Sequence, residues 1–196
     1  WHTLSLHDAL PILYPVIIGN HMSAMETVFL PGLLAPFMQT AYILKRSLLK
    51  YPILGKVFQQ VGAITVTRTN AKKDLKDVLT QGKEILQQKA VVVFPQSSRS
   101  PVFVPEKFNT LGLRLAKHAG VPAVPLALKT DMLSNGKVFK EVGRVYIDRP
   151  VHLSFGAPIE VTNVKADHQR ILDFIVGNLR DWGTEVREET AAGDAG

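Results

Sequence analysis

The sequence predicts one α/β domain with a largely parallel sheet flanked by helices. The chain of 196 residues is long enough to bury the core of one domain. Short apolar segments rich in β-branched residues alternate along it with longer segments whose apolar residues recur at helical spacing. We find no internal repeat and no linker that would divide the chain. Because parallel strands need a crossover between them, this alternation favours a parallel sheet covered by helices.

Six segments are predicted as strands because they are short, apolar and in most cases β-branched. Val121–Leu128 contains Pro122 and Pro125, which cannot donate to a ladder, so we expect an edge or bulged position for this strand. The predicted strands are Tyr14–Gly19, Ala63–Thr67, Ala90–Phe94, Val121–Leu128, Arg144–Ile147 and Val151–Phe155.

Helices are predicted where apolar residues fall on one helical face. One such face carries Phe108, Leu111, Leu115 and Ala119, and Gly120 marks the C-terminal end of that helix. The other predicted helices are Lys72–Gln88 and His168–Trp182, and the segments Thr27–Met38 and Ala41–Leu49 look helical in pieces.

The two ends of the chain stand apart from the predicted domain. Residues 3–12 read, codon by codon, as one frame of a sequencing-adapter oligonucleotide. We therefore expect residues 1–12 to be an adapter-derived scar and exclude them from the fold. The domain then covers residues 13–187 and lacks native sequence at its N-terminus. Residues 188–196 are expected to form a flexible tail, because they are mostly small or polar.

The charge balance of the chain is basic. Lys and Arg number 23 and Asp and Glu number 17, which gives a formal net charge of +6. A basic surface favours anionic partners such as phospholipid headgroups, phosphorylated substrates, an acidic carrier protein or nucleic acid, although excess lysine also serves solubility alone. The chain has no cysteine, which excludes disulfides, thiolate catalysis and cysteine-ligated metal sites.

A histidine and a carboxylate follow the first predicted strand. Neutral histidine is suited to act as a general base near pH 7, and a carboxylate on its other ring nitrogen would orient it. His21 precedes Glu26 by five residues, which on one continuous helix would set them about 140° apart. His21 must therefore lie in a strand-to-helix turn, with the helix beginning near Ser23. A capping box with Ser23 is the alternative role for Glu26.

Two arginines are predicted at the ends of two strands. Arg68 closes the strand Ala63–Thr67, and Arg99 follows the strand that ends at Phe94. Two guanidinium groups at the same sheet edge can converge on one phosphate through charge-assisted hydrogen bonds. The alternative is that each arginine is exposed and forms only weak surface ion pairs.

Four sequence blocks resemble those of the lysophospholipid and 1-acylglycerol-3-phosphate acyltransferases of the glycerolphosphate acyltransferase superfamily. Residues 20–26 (NHMSAME) resemble the family's N-H-x4-D block, and residues 94–99 (FPQSSR) resemble its F-P-E-G-T-R block. Residues 62–68 and 121–126 resemble the second and fourth blocks. The four blocks occur in the family's order between about Tyr14 and Leu128.

The resemblance implies a glycerolphosphate acyltransferase-like fold and an O-acyltransferase. Such an enzyme uses acyl-CoA or acyl-carrier protein as co-substrate and no cofactor or metal. Its acceptor would be a lysophospholipid, most often 1-acylglycerol-3-phosphate, and its product phosphatidic acid. It would act at the cytoplasmic face of a membrane, as a peripheral or monotopic protein on an anionic surface, with no role for nucleic acid. The implied catalytic residues are His21 and Glu26, and the implied substrate-binding residues are Arg68, Gln96, Ser97, Ser98 and Arg99.

The sequence departs from the family blocks at three positions. Glu26 replaces an aspartate, Gln96 a glutamate and Ser97 a glycine. These departures motivate an alternative of another class, a catalytically impaired lipid-binding module of the same fold. A third candidate, a nucleic-acid binder, rests on positive charge alone, because the chain lacks aromatic–basic interleaving and any recognised nucleic-acid motif.

The segment Thr27–Leu44 carries no charged residue and approaches the length of a membrane span. Pro31, Gly32, Pro36 and Gln39 lie inside it and would break a simple spanning helix. We interpret the segment as a helix and turn that lie against a bilayer interface or line an acyl tunnel. A buried core helix is the alternative.

Overall fold

The protein forms a six-stranded sheet with helices on both faces. The computed structural model describes residues 14–50, 62–96, 98–136 and 143–188. The predicted scar over residues 1–12 lies outside the described residues, as does all of the predicted tail except Glu188. The strands are β1 (Val16–Gly19), β2 (Thr40–Lys45), β3 (Ala63–Val66), β4 (Ala90–Val93), β5 (Ala123–Lys129) and β6 (His152–Phe155). Their order across the sheet is β3-β2-β4-β1-β5-β6, and only the β5–β6 pair is antiparallel.

Within the described residues, four α-helices cover the sheet: α1 (Met25–Leu34), α2 (Ala71–Ile85), α3 (Leu111–Ala119) and α4 (Val164–Asp181). Short 3₁₀ turns occupy Arg46–Lys50 and Pro105–Lys107. Asparagine side chains begin α2 and α4, because Asn70 and Asn163 each accept backbone N–H bonds from the first turn. Gly120, with φ of 70°, ends α3 as predicted.

The two faces of the sheet bury separate apolar clusters. Ile18 and Val93 face one cluster, which packs against α2, α3 and α4. Ile17 faces the other, which includes Leu30 of α1. The single α/β domain and its mostly parallel sheet are therefore confirmed, and the turn from β1 into α1 is placed at the carboxyl edge of the parallel strands.

The prediction that Ala41–Leu49 is helical in pieces is wrong for residues 41–45, whereas residues 46–49 belong to a 3₁₀ turn. Thr40–Lys45 is strand β2, hydrogen-bonded between β3 and β4. An interior strand of a parallel sheet is buried on both faces, so its sequence is a continuous apolar run without alternation. This run was not distinguishable by periodicity from a buried helix.

Of the two positions predicted for residues 121–128, the edge is wrong, because β5 lies between β1 and β6, and the bulge is confirmed. Leu126 pairs with Phe155, whereas Ala123 pairs with Ile159. The segment opposite β5 therefore has one extra residue between these two pairs. Pro125 lies opposite this irregularity, and its carbonyl accepts the Gly156 N–H at 2.9 Å. The proline is tolerated in an interior strand because the ladder is bulged at that point.

Further elements also differ from the predictions. The predicted strand Arg144–Ile147 is wrong: these residues form no strand of the main sheet, and Val145 makes only an isolated bridge to Leu133. Phe108 precedes α3 and bridges Gln96 instead of lying on the helix. Helix α4 begins at Val164, four residues before His168, because Asn163 caps it.

The uncharged segment from residue 27 to residue 44 divides between α1 and β2. The inner side of α1 packs into the core. Phe29 on α1 is 52% exposed, and Phe37, just after the helix, is 80% exposed. Among the described helices, none is both long and apolar enough to cross a membrane. Helix α1 therefore has one buried face and one exposed apolar face.

Two leucines of α1 offer a matched test of this orientation. Leu30 is 1% exposed and Leu33 is 37% exposed. Leu30→Ala leaves a cavity and is expected to lower the free energy of unfolding by about 2–5 kcal/mol. Leu33→Ala should lower it by less than about 1 kcal/mol. Urea unfolding of both variants checks this, and equal losses would contradict the assigned orientation of α1.

Candidate active site

The candidate site lies in the turn between β1 and α1. Asn20 follows β1, and its buried side chain extends the ladder between β1 and β5. Its amide donates to the Leu128 carbonyl at 2.7 Å, and its Oδ1 accepts the Leu128 N–H at 2.8 Å. A side-chain amide thus takes the place of a backbone amide one residue beyond the strand. These two hydrogen bonds fix the backbone that leads into His21.

The main chain of His21 is held from the side of β4. Its N–H donates to Gln96 Oε1 at 2.7 Å, and its carbonyl accepts the Ser100 N–H at 3.0 Å. The imidazole stacks on Phe94 with ring centroids 4.5 Å apart and planes 10° from parallel. The side chain is 18% exposed. The ring is therefore fixed on one face and at one end while part of it remains open to solvent.

Glu26 lies behind the imidazole with its side chain fully buried. Its Oε2 contacts His21 Nδ1. Its Oε1 accepts the N–H groups of Met22 and Ser23 at 2.8 and 3.0 Å and the hydroxyl of Thr130. Four donors satisfy the buried carboxylate, as a group removed from water requires.

The capping box considered for Glu26 is present only in part, because Ala24 and not Ser23 is the N-cap of α1 and it makes no side-chain cap bond. Oε1 closes a capping interaction with the Ser23 N–H, and Ser23 Oγ accepts the Met25 N–H at 3.2 Å. Oε2 is left for His21. The helix begins at Met25, so His21 lies in the turn as the spacing requires.

The contact with Glu26 decides which nitrogen of His21 carries the proton. A carboxylate only accepts hydrogen bonds, so the neutral imidazole is protonated on Nδ1. Its Nε2 then keeps a lone pair. The arrangement places a proton acceptor at the carboxyl edge of the sheet, with a buried carboxylate placed to stabilise the imidazolium that forms.

Arg68 occupies a constrained turn after β3. Its φ is 62°, in the left-handed region that few non-glycine residues adopt. Asp74 holds this turn by accepting the N–H groups of Thr67 and Arg68 at 2.9 and 2.6 Å. The Thr67 amide, above all, lowers the pKa of Asp74, so its carboxylate stays ionised at neutral pH. The structure thus fixes the backbone from which the Arg68 side chain extends.

A groove of about 380 Å³ connects Arg68 with the surroundings of His21. Its lining includes Arg68, Asp74, Phe94, Gln96 and Asn109. Phe94 is the ring on which His21 stacks, and Gln96 holds the His21 amide. His21 does not itself line the groove; Phe94 and Gln96 are the lining residues that contact it.

The other predicted substrate-binding residues follow β4. Arg99 is half-buried and directly precedes Ser100, which bonds the His21 carbonyl. Ser98 is exposed, and Ser97 lies outside the described residues. Strand β2 separates β3 from β4, which sets the ends of these two strands about 10 Å apart. It stays a prediction that Arg68 and Arg99 bind the same phosphate.

Sequence reasoning missed two residues that hold the His21 turn from the side of β5, the strand next to β1. Thr130 bonds Glu26, and Asn135 donates to the Met22 carbonyl at 3.2 Å. Both come after β5, more than a hundred residues along the chain from the turn. The available signal was a threonine shortly after a predicted strand, at the sheet edge where the other site residues were expected. In the described ranges, no group of three His, Asp or Glu residues could hold a metal ion.

A profile of the family described as Acyltransferase matches residues 13–129. The 1-acyl-sn-glycerol-3-phosphate acyltransferase of Pseudomonas aeruginosa is 39% identical over 113 residues, covering 57% of this chain and 43% of that protein. The chain thus spans less than half the length of the Pseudomonas relative. The Escherichia coli protein of the same name is 26% identical over 188 residues, covering 91% of this chain and 72% of that protein.

A solved structure supports the fold assignment. The 1-acyl-sn-glycerophosphate (LPA) acyltransferase of Thermotoga maritima superposes with a TM-score of 0.62 at 18% identity. The match covers 91% of this chain and 70% of the Thermotoga chain. At this level of identity the likeness shows a shared fold.

Proposed function

Because this chain belongs to the Acyltransferase family, we propose that it is an O-acyltransferase acting on a lysophospholipid. The proposed reaction moves an acyl group from a thioester donor to the free hydroxyl of 1-acylglycerol-3-phosphate and yields phosphatidic acid. The observation that carries this proposal is the His21–Glu26 pair, with a buried carboxylate behind a partly exposed imidazole. The names of the Pseudomonas and Escherichia relatives support the choice of acceptor.

The proposed chemistry begins at Nε2 of His21. Nε2 takes the proton of the acceptor hydroxyl as the hydroxyl oxygen attacks the thioester carbonyl carbon. Glu26 stabilises the imidazolium through Nδ1. When the carbon–sulfur bond breaks, the imidazolium returns the proton to the leaving thiolate, and the new carbon–oxygen bond is the ester. The thioester supplies its own activation, so the proposal needs no metal or prosthetic group.

The proposed position of the phosphate is the groove between Arg68 and Gln96. An anion there would receive charge-assisted hydrogen bonds from Arg68, and Arg99 is proposed to assist from the end of β4. Gln96 Oε1 is occupied by the His21 amide, and the amide nitrogen of Gln96 is a donor where the family's glutamate would bring a negative charge. The acyl donor is proposed to be acyl-CoA or acyl-carrier protein. Both are anionic, which suits the net charge of +6 on this chain.

The exposed face of α1 supports a proposed location on the cytoplasmic face of a membrane, peripheral or monotopic. Val28, Phe29, Leu33 and Phe37 are exposed there, and the segment from Thr27 to Leu44 has no charged residue to oppose burial in lipid. Helix α1 begins beside Glu26, so an acceptor resting in the bilayer would have a short path to His21.

The impaired-module alternative remains a candidate because Glu26 and Gln96 depart from the family blocks. Such a module would bind lysophosphatidic acid vesicles without any thioester consumption that depends on His21. That outcome would favour the alternative over catalysis.

His21→Ala is expected to lower kcat/KM by about 10²–10⁴-fold, because the variant loses its general base. Thiol release from an acyl thioester in the presence of 1-acylglycerol-3-phosphate measures the effect, and circular dichroism checks that the fold is retained. His118→Ala is the control, since that histidine is exposed on α3. Turnover in His21→Ala at the wild-type rate would end the catalytic proposal.

Arg68→Gln is expected to raise the acceptor KM by about tenfold or more, because one charge-assisted bond to phosphate is lost. The kcat should change much less. Arg99→Gln should act in the same direction, and Arg114→Gln, on the exposed side of α3, serves as the control. Steady-state kinetics with varied acceptor check the prediction, which an unchanged KM in Arg68→Gln would refute.

The pair Phe29→Ser and Phe37→Ser, combined in one variant, is expected to bind anionic phosphatidylglycerol vesicles several-fold more weakly. Each substitution removes a large apolar side chain that would enter the interface. Ile147→Ser is the matched control, because Ile147 is 91% exposed but lies outside α1, in the segment between β5 and β6. Vesicle flotation measures binding. An equal loss in the control, or no loss in the double variant, would argue against α1 as the lipid-facing element.

A further inference from the structure

Thr130 is the first residue after β5, and it is 3% exposed. The two hydrogen bonds between Asn20 and Leu128 hold the end of β5 against the His21 turn. This contact brings the Thr130 hydroxyl onto Glu26 across 104 residues of sequence. A hydroxyl buried in this way has a defined set of partners.

The partners of the Thr130 hydroxyl fix the direction of its proton. Glu26 Oε1 is a carboxylate oxygen and accepts, so the Thr130 hydroxyl must donate to it. The remaining contact, at 3.0 Å, is then a donation from Ser23 Oγ to Thr130 Oγ1. Ser23 Oγ in turn accepts the Met25 N–H at 3.2 Å. The hydroxyl protons therefore run in one direction, from Ser23 through Thr130 to Glu26.

Thr130 differs from the other donors to Glu26 Oε1 in its origin. The other two donors, the amides of Met22 and Ser23, belong to the same turn as His21 and would move with it. Among the described residues, Thr130 alone ties this oxygen to another strand of the sheet. A glutamate also has one more rotatable bond than the aspartate of the family block, so its carboxylate needs more constraints to hold one orientation.

We propose that Thr130 is a positioning residue for the reaction, which rests on the proposed function of His21. By holding Oε1 it aims Oε2 of Glu26 at His21 Nδ1. Oε2 then keeps the proton on Nδ1 and leaves Nε2 as the base. Thr130 touches neither substrate nor the reacting atoms. Its loss is expected to lower kcat and leave the acceptor KM nearly unchanged, since the groove proposed for the acceptor is lined by other residues.

Thr130→Val keeps the shape of the side chain and removes the hydroxyl. We expect kcat to fall between about tenfold and 100-fold, the value of a hydrogen bond to a charged group. The acceptor KM should stay within about twofold of wild type, and Thr130→Ser should recover most of kcat. Thr184→Val is the matched control, because its Oγ1 is also buried but has no hydrogen-bond partner among the described residues.

A second readout does not depend on turnover. In the free protein, the Nδ1 proton of His21 bonded to a carboxylate should give a proton resonance far downfield of the backbone amides. His21→Ala identifies the signal by its loss. We expect Thr130→Val to shift it upfield or broaden it, and Thr130→Ser and Thr184→Val to preserve it. This signal tests Thr130 even if His21→Ala turns over normally, a result that would defeat only the proposed function.

Two results would overturn the proposal for Thr130. One is wild-type kcat and an unchanged Nδ1 signal in Thr130→Val. The other is an equal loss of kcat in Thr130→Val and Thr130→Ser that parallels a loss of stability in urea, since that pattern indicates a structural role alone.

Discussion

The buried carboxylate of Glu26 is the constraint on which the site depends. It is removed from solvent, and such a charge is tolerated only where donors surround it. Those donors come from the His21 ring, the turn that follows β1 and the end of β5. One side chain therefore joins the start of α1, the orientation of the imidazole and the packing of two neighbouring strands.

The sheet explains why these groups meet. Parallel strands bring their carboxyl ends to one edge, and β1 lies between β4 and β5 there. The segment after β4 holds the His21 backbone through Gln96 and Ser100, while the segment after β5 supplies Thr130. The groove with Arg68 opens at the same edge from the side of β3. Loops on a rigid scaffold thus carry the chemistry, as is general for open α/β sheets.

The parts of this arrangement that depend on local sequence were predictable. Strand–helix alternation predicted the sheet, and the spacing of His21 and Glu26 required a turn between them. Strand β2 was missed because an interior strand shows no alternation, and local propensity says nothing about burial on both faces. Thr130 was missed because its contact with Glu26 spans 104 residues and leaves no periodic signal. The placement of Arg68 relative to Arg99 depends on strand order, which the sequence alone did not specify.

The tautomer of His21 in the free protein tests the central claim most directly, because the role of Glu26 depends on it. Nitrogen chemical shifts of the imidazole, measured by NMR under conditions in which the ring is neutral, distinguish the two neutral forms. The structure requires a protonated Nδ1 bonded to Glu26 and an unprotonated Nε2. A neutral ring that carries its proton on Nε2 would contradict the account, since its lone pair would then lie on Nδ1, against Glu26, and not on the nitrogen proposed to face an acceptor hydroxyl.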